Sequence, residues 1–576
     1  MKSSRRILTS GLLLAGLLAG RSAHAQAPAK PPSSGAQDSY IETVNVSVVN
    51  VDVYVTDKSG QRVKGLTKDD FEITENGKTV AITNFYAVEG GKAMLAEDAP
   101  PPAAPSPIPA PPGPPGRKAE APPLPEDQRL RLIVYIDNFN LRPFNRNRVM
   151  RELRVFLSQK VTKGDQVMLV TYDRSTHVRQ TFTSDTDLIN SALLDIEKIS
   201  AQGVHADSER KDALRQIEDS RNASEAEGIA RTYAESTFND LSFSIDALKE
   251  LVSSLAGMPG RKAILYVSDG IPMIAGQDVY YAVQSKYGEQ STGLTTSVQY
   301  DASRRYDELA AQANANRVTF YTIDAAGLRV YSSISAENQT AGQGVYIDSV
   351  QISNLQAPLQ MLAEKTGGVA IINRNEILPA LNKVAEDFGS YYSLGYTPTH
   401  YGDGRYYKID VKVKKKGLVV RHREGYRDKS FESRMTDGTL AVLNFPFQDN
   451  KFGLELDFGQ PTEREDGYFL VPVVVRIPLS KLTLVPREQT EEARVRLYIA
   501  AMDNQGGVSD VQQVPLPISI PAADVKAAMG KHYAYSVNLL MRRGDQKVAV
   551  GVRDDVAGEA SFVSRVLRVG GGAAGR

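Results

Sequence analysis

Two aspartates each close a run of apolar residues. Asp137 ends the run in "LIVYIDNFNLRP" (132–143), and Asp269 ends the run in "KAILYVSDG" (262–270). A carboxylate at the end of a buried strand points at the crevice where open α/β sheets bind ligands, outside the carboxyl ends of parallel strands. One use for such a carboxylate is to hold a metal ion. The other is structural: an aspartate there also accepts backbone N–H bonds and caps the next helix.

Other chemistry finds little support. The six histidines, His24, His177, His205, His400, His422 and His532, are scattered, and none stands in an H-E-x-x-H spacing. There is no G-x-S-x-G elbow and no Walker loop. Cysteine is absent, which removes thiol nucleophiles, thiolate metal sites and disulfides. The basic run "KVKKKG" (412–417) reads as a solvated hairpin end. No enzyme is expected.

The 576 residues exceed one hydrophobic core, so several domains are expected. Lysine plus arginine and aspartate plus glutamate both number 68, and this zero net charge argues against a nucleic-acid partner. At the N-terminus, Lys2, Arg5 and Arg6 precede the short apolar run 7–20, and "AHA" (23–25) offers small residues for cleavage. Residues 1–25 therefore read as a signal peptide, and the chain as exported, to the periplasm or outside the cell. Sec and twin-arginine export both stay open. No later run is long enough for a transmembrane segment.

The elements that must position the two aspartates follow from pattern. Residues 26–39 read as disordered, and 97–127 as a Pro-rich linker, stiff and extended. Between them, 40–90 carries alternating β-branched residues and the hairpin signal Asn76-Gly77, so it reads as a β segment. From 128 to 390, buried strands alternate with amphipathic helices, among them 146–161, 186–199, 241–258, 303–316 and 355–368. This predicts a doubly wound, mostly parallel sheet. Residues 206–236 are charged and helix-prone with little apolar periodicity, and are expected as an exposed helical insertion beside the ligand face. Residues 391–428 return to strand pattern. Too small to fold alone, they are expected to complete a sandwich with 40–90. A further β-sandwich, of immunoglobulin or fibronectin type, is expected over 436–570.

The order of several stretches resembles an exported bacterial family of von Willebrand factor type A (VWA)-related proteins. These are the strand ending in Asp137, "KGDQVMLVTYDRSTHVRQTFTSD" (163–185), "PGRKAILYVSDG" (259–270) and "VTFYTIDAAG" (318–327), with "VYVTDKSGQRVKGLTKDDFEITENGK" in front and "YSLGYTP" and "GLVVRHREGY" behind. The resemblance implies a Rossmann-type VWA domain flanked by β-sandwiches, with a metal-ion-dependent adhesion site. That site has the pattern D-x-S-x-S, a later threonine and an aspartate in "DG". Its oxygens hold a hard divalent cation such as Mg²⁺, and a ligand carboxylate completes the shell. Asp137 and Asp269 fall on the two aspartates, and Ser242 roughly on the threonine. Phe139 and Leu141 stand where the serines belong and cannot ligate. Asn138 and Asn140 could bring amide oxygens, out of register. The resemblance therefore implies a degenerate site.

The resulting reading is an exported, non-catalytic protein-binding or adhesion module that needs no cofactor, with a divalent cation at the degenerate site the one candidate. The alternative is an envelope scaffold assembling through its β domains, with the VWA face inert. A metal-dependent hydrolase is the remaining reading and lacks any nucleophile–base pair.

Overall fold

The structure is a computed structural model that describes residues 48–90, 92–94, 129–160, 165–329, 343–445 and 449–570. The expected signal peptide, the segment 26–39 and nearly all of the expected β-segment start at 40–47 lie outside the described residues, as does the Pro-rich span 97–127. The described chain is a multidomain α/β protein with several sheets.

The β-branched alternation at the start gives β1 (Val49–Asp57), which buries Val49, Val51, Val53 and Val55 on one face. β2 (Phe71–Glu75), β3 (Lys78–Val80), β4 (Ile82–Glu89) and β5 (Lys92–Met94) follow. β2 and β3 turn at Asn76-Gly77, where φ is 46° and 79°, the left-handed pair that a tight hairpin needs.

Next come β6 (Leu130–Ile136), α1 (Pro143–Lys160), β7 (Gln166–Tyr172), β8 (Thr176–Thr183), α2 (Thr186–Lys198), α3 (Gly203–Asp219), α4 (Ala223–Ser254) and β9 (Arg261–Ser268). After them run α5 (Gln277–Tyr287), α6 (Gly293–Ser297), α7 (Ser303–Ala315), β10 (Val318–Asp324), α8 (Gln343–Thr366), β11 (Ala370–Ile371) and α9 (Leu378–Gly389). They form one sheet in the order β11-β10-β9-β6-β7-β8, parallel except for β8 at the edge. Both faces are covered, which is why these strands are continuous apolar runs. Ile133 and Tyr135 point to the side of α4, α7 and α8, while Leu132, Val134 and Ile136 point to α1, α2 and α9.

The segment 206–236 is helical and largely exposed, as expected, but it also carries a buried stripe. It forms α3 and the first part of α4, and α4 is one 32-residue helix rather than a helix beginning at 241. Ala226, Ala230 and Ala234 recur every fourth residue and pack, with Ala213 and Ile217, on Val279, Tyr280 and Val283 of α5. A stripe of alanines carries too little hydrophobicity to stand out in a charged sequence, yet it lets helices approach closely. Arg210 adds a buried ion pair to Asp278 (2.5 Å) and Asp348 (3.3 Å). The segment therefore has a core of its own.

β12 (Tyr391–Tyr396), β13 (Tyr406–Val413), β14 (Leu418–Arg421) and β15 (Gly425–Arg427) pair with the strands that precede the α/β unit. One sheet runs β14-β1-β12-β4-β5 and the other β15-β13-β2-β3. Val51 faces Leu394 in register, and Ile73 faces Val411. A single cluster, including Val53, Phe71, Ile73, Leu394, Ile409 and Val411, fills the space between them.

α10 (Phe431–Asn444) is a helix that the strand pattern did not predict. Ser430 caps it by accepting from the Ser433 amide at 3.2 Å. It buries Met435, Val442 and Leu443 against Tyr498, Ala500, Ala549 and Phe562. Beyond it lie β16 (Glu455–Phe458), β17 (Thr462–Glu463), β18 (Phe469–Pro478), β19 (Val485–Pro486), β20 (Thr490–Met502), β21 (Gln512–Pro521), α11 (Val525–Ala528), β22 (His532–Met541), β23 (Gly544–Asp554) and β24 (Ala560–Val569). They make two antiparallel sheets around one core, into which β18 sends every second residue from Phe469 to Ile477.

His400 ties the two flanks of the α/β unit together. Its Nδ1 lies 2.9 Å from Asp428 and its Nε2 2.9 Å from Glu75 of β2, and both carboxylates are buried. The ring stacks on Tyr407 at 3.5 Å, Tyr426 donates to Glu75 at 2.8 Å, and Arg434 stands 3.9 Å from Asp428. Burial pulls the His400 pKa down, but the hydrogen bonds and charges of Asp428 and Glu75 outweigh it, and the net shift is upward. A histidine with a raised folded pKa contributes its full stability below its ordinary pKa and loses it as pH rises through the folded value. The unfolding temperature should therefore fall as pH rises above the ordinary histidine value of about 6.5, and His400→Gln should flatten that fall. An identical slope in wild type and variant would exclude the His400 lock.

Candidate functional site

The order of connection reverses between the parallel neighbours β6 and β9, and Asp137 and Asp269 stand just past the carboxyl ends of those two strands. Asp324, the last residue of β10, is the third carboxylate on this edge. This is the switch point at which open α/β sheets form a crevice.

Asp137 is 1% exposed. Its carboxylate accepts from Tyr266 Oη (2.7 Å), Ser268 Oγ (2.9 Å), Asn140 Nδ2 (2.9 Å) and the Asn140 amide (3.2 Å). Burial pushes its pKa up, against the pull of those hydrogen bonds. Its own amide donates to Val267 O, which fastens the end of β6 to β9. The loop that follows is built from apolar anchors. Leu141 is fully buried in the α1 core, and Phe139 packs edge-on against Tyr172 with Arg174 over its ring. Asn138 is also fully buried, and its side-chain Oδ1 accepts from Arg146 at 3.2 Å. Asn140 thus turns its NH₂, not its oxygen, toward Asp137.

Asp269 accepts from the Arg142 amide and Asn145 Nδ2, both at 2.9 Å and both on Oδ2. Its Oδ1 is buried with no hydrogen-bond partner. Burial raises its pKa to about 6, opposed by the donors from Arg142 and Asn145 and by the charge of Arg329. Arg142 is itself paired with Asp207 of α3, with Nη2 at 2.6 Å. Asp324 accepts from Arg329 Nη2 (2.8 Å), Gln356 Nε2 (2.8 Å) and the Ala326 amide (3.1 Å). The same Arg329 guanidinium also donates to the main-chain carbonyl of Asp269. Ser242 lies within α4, where its hydroxyl donates to Phe238 O at 2.7 Å.

These donors do not fit a divalent cation. Such an ion needs six or more oxygens at fixed distances. Of the three carboxylates only Asp269 Oδ1 is uncommitted, the two serine positions are apolar, and Ser242 serves its own helix. A guanidinium, not a metal ion, joins the ends of β9 and β10. Sequence reasoning passed over Asp324, Arg142, Asn145 and Arg329. The signal for Asp324 was present, since "VTFYTIDAAG" ends a buried strand on an aspartate just as the other two stretches do.

Three exposed apolar side chains lie on the segments that build this polar centre: Phe144 (76% exposed), Leu328 (59%) and Val204 (54%). Each is the chain neighbour of a residue that builds the centre. Phe144 precedes Asn145, Leu328 precedes Arg329, and Val204 follows Gly203, where an added Cβ would lie 2.6 Å from Asn140 O.

A second group of ligand-type atoms, on His400, Asp403 and Asp428, lies within 4.8 Å. Both ring nitrogens already meet carboxylates, and Asp403 accepts from Tyr407 Oη and the Arg405 amide, so the group is an ion-pair network.

No family model and no curated protein sequence matches the chain. Among solved structures it is similar to an aerotolerance-related membrane protein from Bacteroides fragilis, at 14% identity over 44% of this chain and 98% of that one, with a TM-score of 0.20. It is similar to the conserved hypothetical protein BatB from Bacteroides thetaiotaomicron, at 11% identity over 45% and 96%, with a TM-score of 0.19. It is also similar to the vWF domain of the type V pili tip protein Mfa5 from Porphyromonas gingivalis, at 11% identity over 45% and 94%, with a TM-score of 0.23.

Two outcomes follow from the geometry. Calorimetric titration with Mg²⁺, Mn²⁺ or Ca²⁺ should show no binding tighter than about millimolar. Micromolar binding abolished by Asp137→Ala would restore the metal site. The second concerns Asp269. A carboxyl whose folded pKa lies above its ordinary value stabilises the fold fully only below that ordinary value, and the contribution is lost as pH climbs through about 6. The rise from 3.8 to about 6 makes ionised Asp269 a cost of at most about 3 kcal/mol at neutral pH. Asp269→Asn keeps an oxygen for Arg142 and Asn145, so it should raise the unfolding temperature at about pH 7.5 and change it little at about pH 4.5. A loss of stability at both pH values would show that the carboxylate is needed in its charged form.

Proposed function

We propose that this protein is an exported, non-catalytic binding module, whose VWA-type α/β unit captures a protein partner at the carboxyl edge of its parallel sheet without a metal ion. The observation that carries this reading is the pairing of a polar centre held largely by donors of the chain itself with exposed apolar residues, Phe144, Leu328 and Val204, on the segments that build it. Interfaces take most of their energy from a few apolar or aromatic anchors, and buried charges help only when they are already paired. A metal-bridged site would instead leave its carboxylates open to an ion. The topology and the sequence resemblance favour the VWA type. No helix among the described residues is long and apolar enough to cross a membrane, which is compatible with a released protein.

The scaffold alternative has a specific observation against it. Assembly through β domains needs free sheet edges. The edge strand β21 carries Pro515, Pro517 and Pro521, which offer no N–H to a further strand.

The test is a pull-down from bacterial envelope extract, with wild type and a Phe144→Asp/Leu328→Asp double variant, each with and without chelator. The expected result is a partner held by wild type in chelator and lost by the double variant. A partner retained by the double variant would move binding off this face. A partner lost on chelation would return a metal to the site.

A further inference from the structure

The opposite, amino edge of the parallel sheet meets the flanking β unit, and there the chain has collected cations around a cavity. The cavity lies between β1, the first residues of β9 and β10, and Arg423 in the link from β14 to β15. The cavity is partly open to solvent. Four cationic residues line it, Arg261, Lys262, Arg317 and Arg423, with one carboxylate, Asp52.

Asp52 is already taken. It accepts from Arg261 Nε at 3.0 Å, and the other Arg261 donors go to Tyr54 Oη (2.7 Å), Phe388 O (3.1 Å) and Asp387 O (3.2 Å). Among the described residues none of the other three cations makes an ion pair; the charge of Asp52 reaches Arg423, and that of Asp437 reaches Lys262, only at a distance. Lys262 is 4% exposed, and its Nζ donates to Met258 O. Arg423 donates to two carbonyls, Asn314 O and Asn50 O, and its Nε is buried with no hydrogen-bond partner. Arg317 follows α7 in a left-handed conformation (φ 56°), and among the described residues its guanidinium makes no hydrogen bond or ion pair.

Neutral carbonyls do not balance three positive charges. Burial, and next to it the charge of Arg317, pulls the Lys262 pKa well below its ordinary value and that of Arg423 down to about 10. A protein leaves buried charge of one sign uncompensated only at a cost, and the group that removes the cost is a counter-ion with several acceptor oxygens.

We infer that this cavity is an oxyanion site, in which a phosphate or sulfate group, free or carried on a small ester, accepts from Arg317, Arg423 Nε and Lys262. The site is separate from the carboxyl-edge face and does not depend on the function proposed for it. Because Arg423 belongs to the flanking β unit and Lys262 and Arg317 to the α/β unit, the anion bridges the seam between them.

The test uses the full chain at low ionic strength, with calorimetric titration of inorganic phosphate, sulfate and glycerol phosphate, and chloride as control. The expected result is saturable one-to-one binding of at least one oxyanion, with a matching rise in unfolding temperature. Arg317→Asn removes the charge while tolerating the left-handed backbone, and should weaken binding about tenfold or more. Lys262→Met provides a second variant on a different element, with the same expected direction. Tighter binding of glycerol phosphate than of inorganic phosphate identifies an ester, and the reverse identifies the free anion. A crystal soaked in tungstate should show its anomalous peak in the cavity. No saturation by any of the three up to about 10 mM, or binding unchanged in Arg317→Asn, would overturn the assignment.

Discussion

Apart from the short turn-back that bridges Thr56 to Arg62, strand β1 pairs with no strand of its own flank. Both of its neighbours, β12 and β14, come from beyond the α/β unit: Val51 faces Leu394 and Val55 faces Val420. The rest of the architecture depends on that pairing. Without it the first strands and the strands after 390 each keep an apolar face in water, and neither set is large enough to hold a core alone. With it, the α/β unit is held at both ends by one two-sheet body. The seam is sealed by Asp387 at the end of α9, 1% exposed, which accepts from Arg421 on both oxygens at 2.9 Å, pairs with Arg62, and takes Tyr321 Oη at 3.1 Å. A buried carboxylate so paired adds geometry more than stability. Removal of either arginine strands a charge at a cost of roughly 3–5 kcal/mol.

The same sheet is electrostatically opposite at its two edges. At the carboxyl edge Asp137, Asp269 and Asp324 are met by hydroxyls, amides and the guanidinium of Arg329. At the amino edge Arg261, Lys262, Arg317 and Arg423 line a cavity whose wall holds one carboxylate, Asp52. The first edge meets its carboxylates with donors from the chain, Asp269 Oδ1 excepted. At the second, Lys262, Arg317 and Arg423 make no ion pair among the described residues. That difference separates a face that can work without an ion from a cavity that calls for one.

What could be read from the sequence followed from burial on both faces. β6 and β9 stand out because every side chain of their cores is apolar, and the aspartates stand out because they end that run. Helix α4 was obscured because its packing stripe is alanine, whose small side chain contributes closeness rather than hydrophobicity. Helix α10 was obscured because Gly438 and Thr439 interrupt its apolar pattern. The structure explains both residues. An added Cβ at Gly438 would lie 2.3 Å from the Phe562 ring, and Thr439 returns its hydroxyl to Met435 O. The centre of the candidate face was half legible. Asp137 and Asp269 sit at strand ends, a local property. Arg142, Asn145 and Arg329 matter only because the fold brings their loops to those ends, and no local pattern marks such a meeting.

Strand β9 connects the two edges. All eight of its residues are buried, with Arg261 and Lys262 at its start and Asp269 directly after its end, roughly 25 Å away at the usual rise per residue. Hydrogen-bonded between β6 and β10 along its length, it cannot slide or tilt without breaking both ladders. Its start is anchored to the flanking body through Asp52, Tyr54 and the carbonyls of Asp387 and Phe388. Its end carries the polar centre of the candidate face. The strand therefore acts as a strut: whatever fixes Arg261 and Lys262 at the seam also fixes how Asp269 and the segments that build the polar centre are presented. A loose seam would leave that face free to reorient, and an anion drawing Arg423 toward Lys262 and Arg317 would hold it.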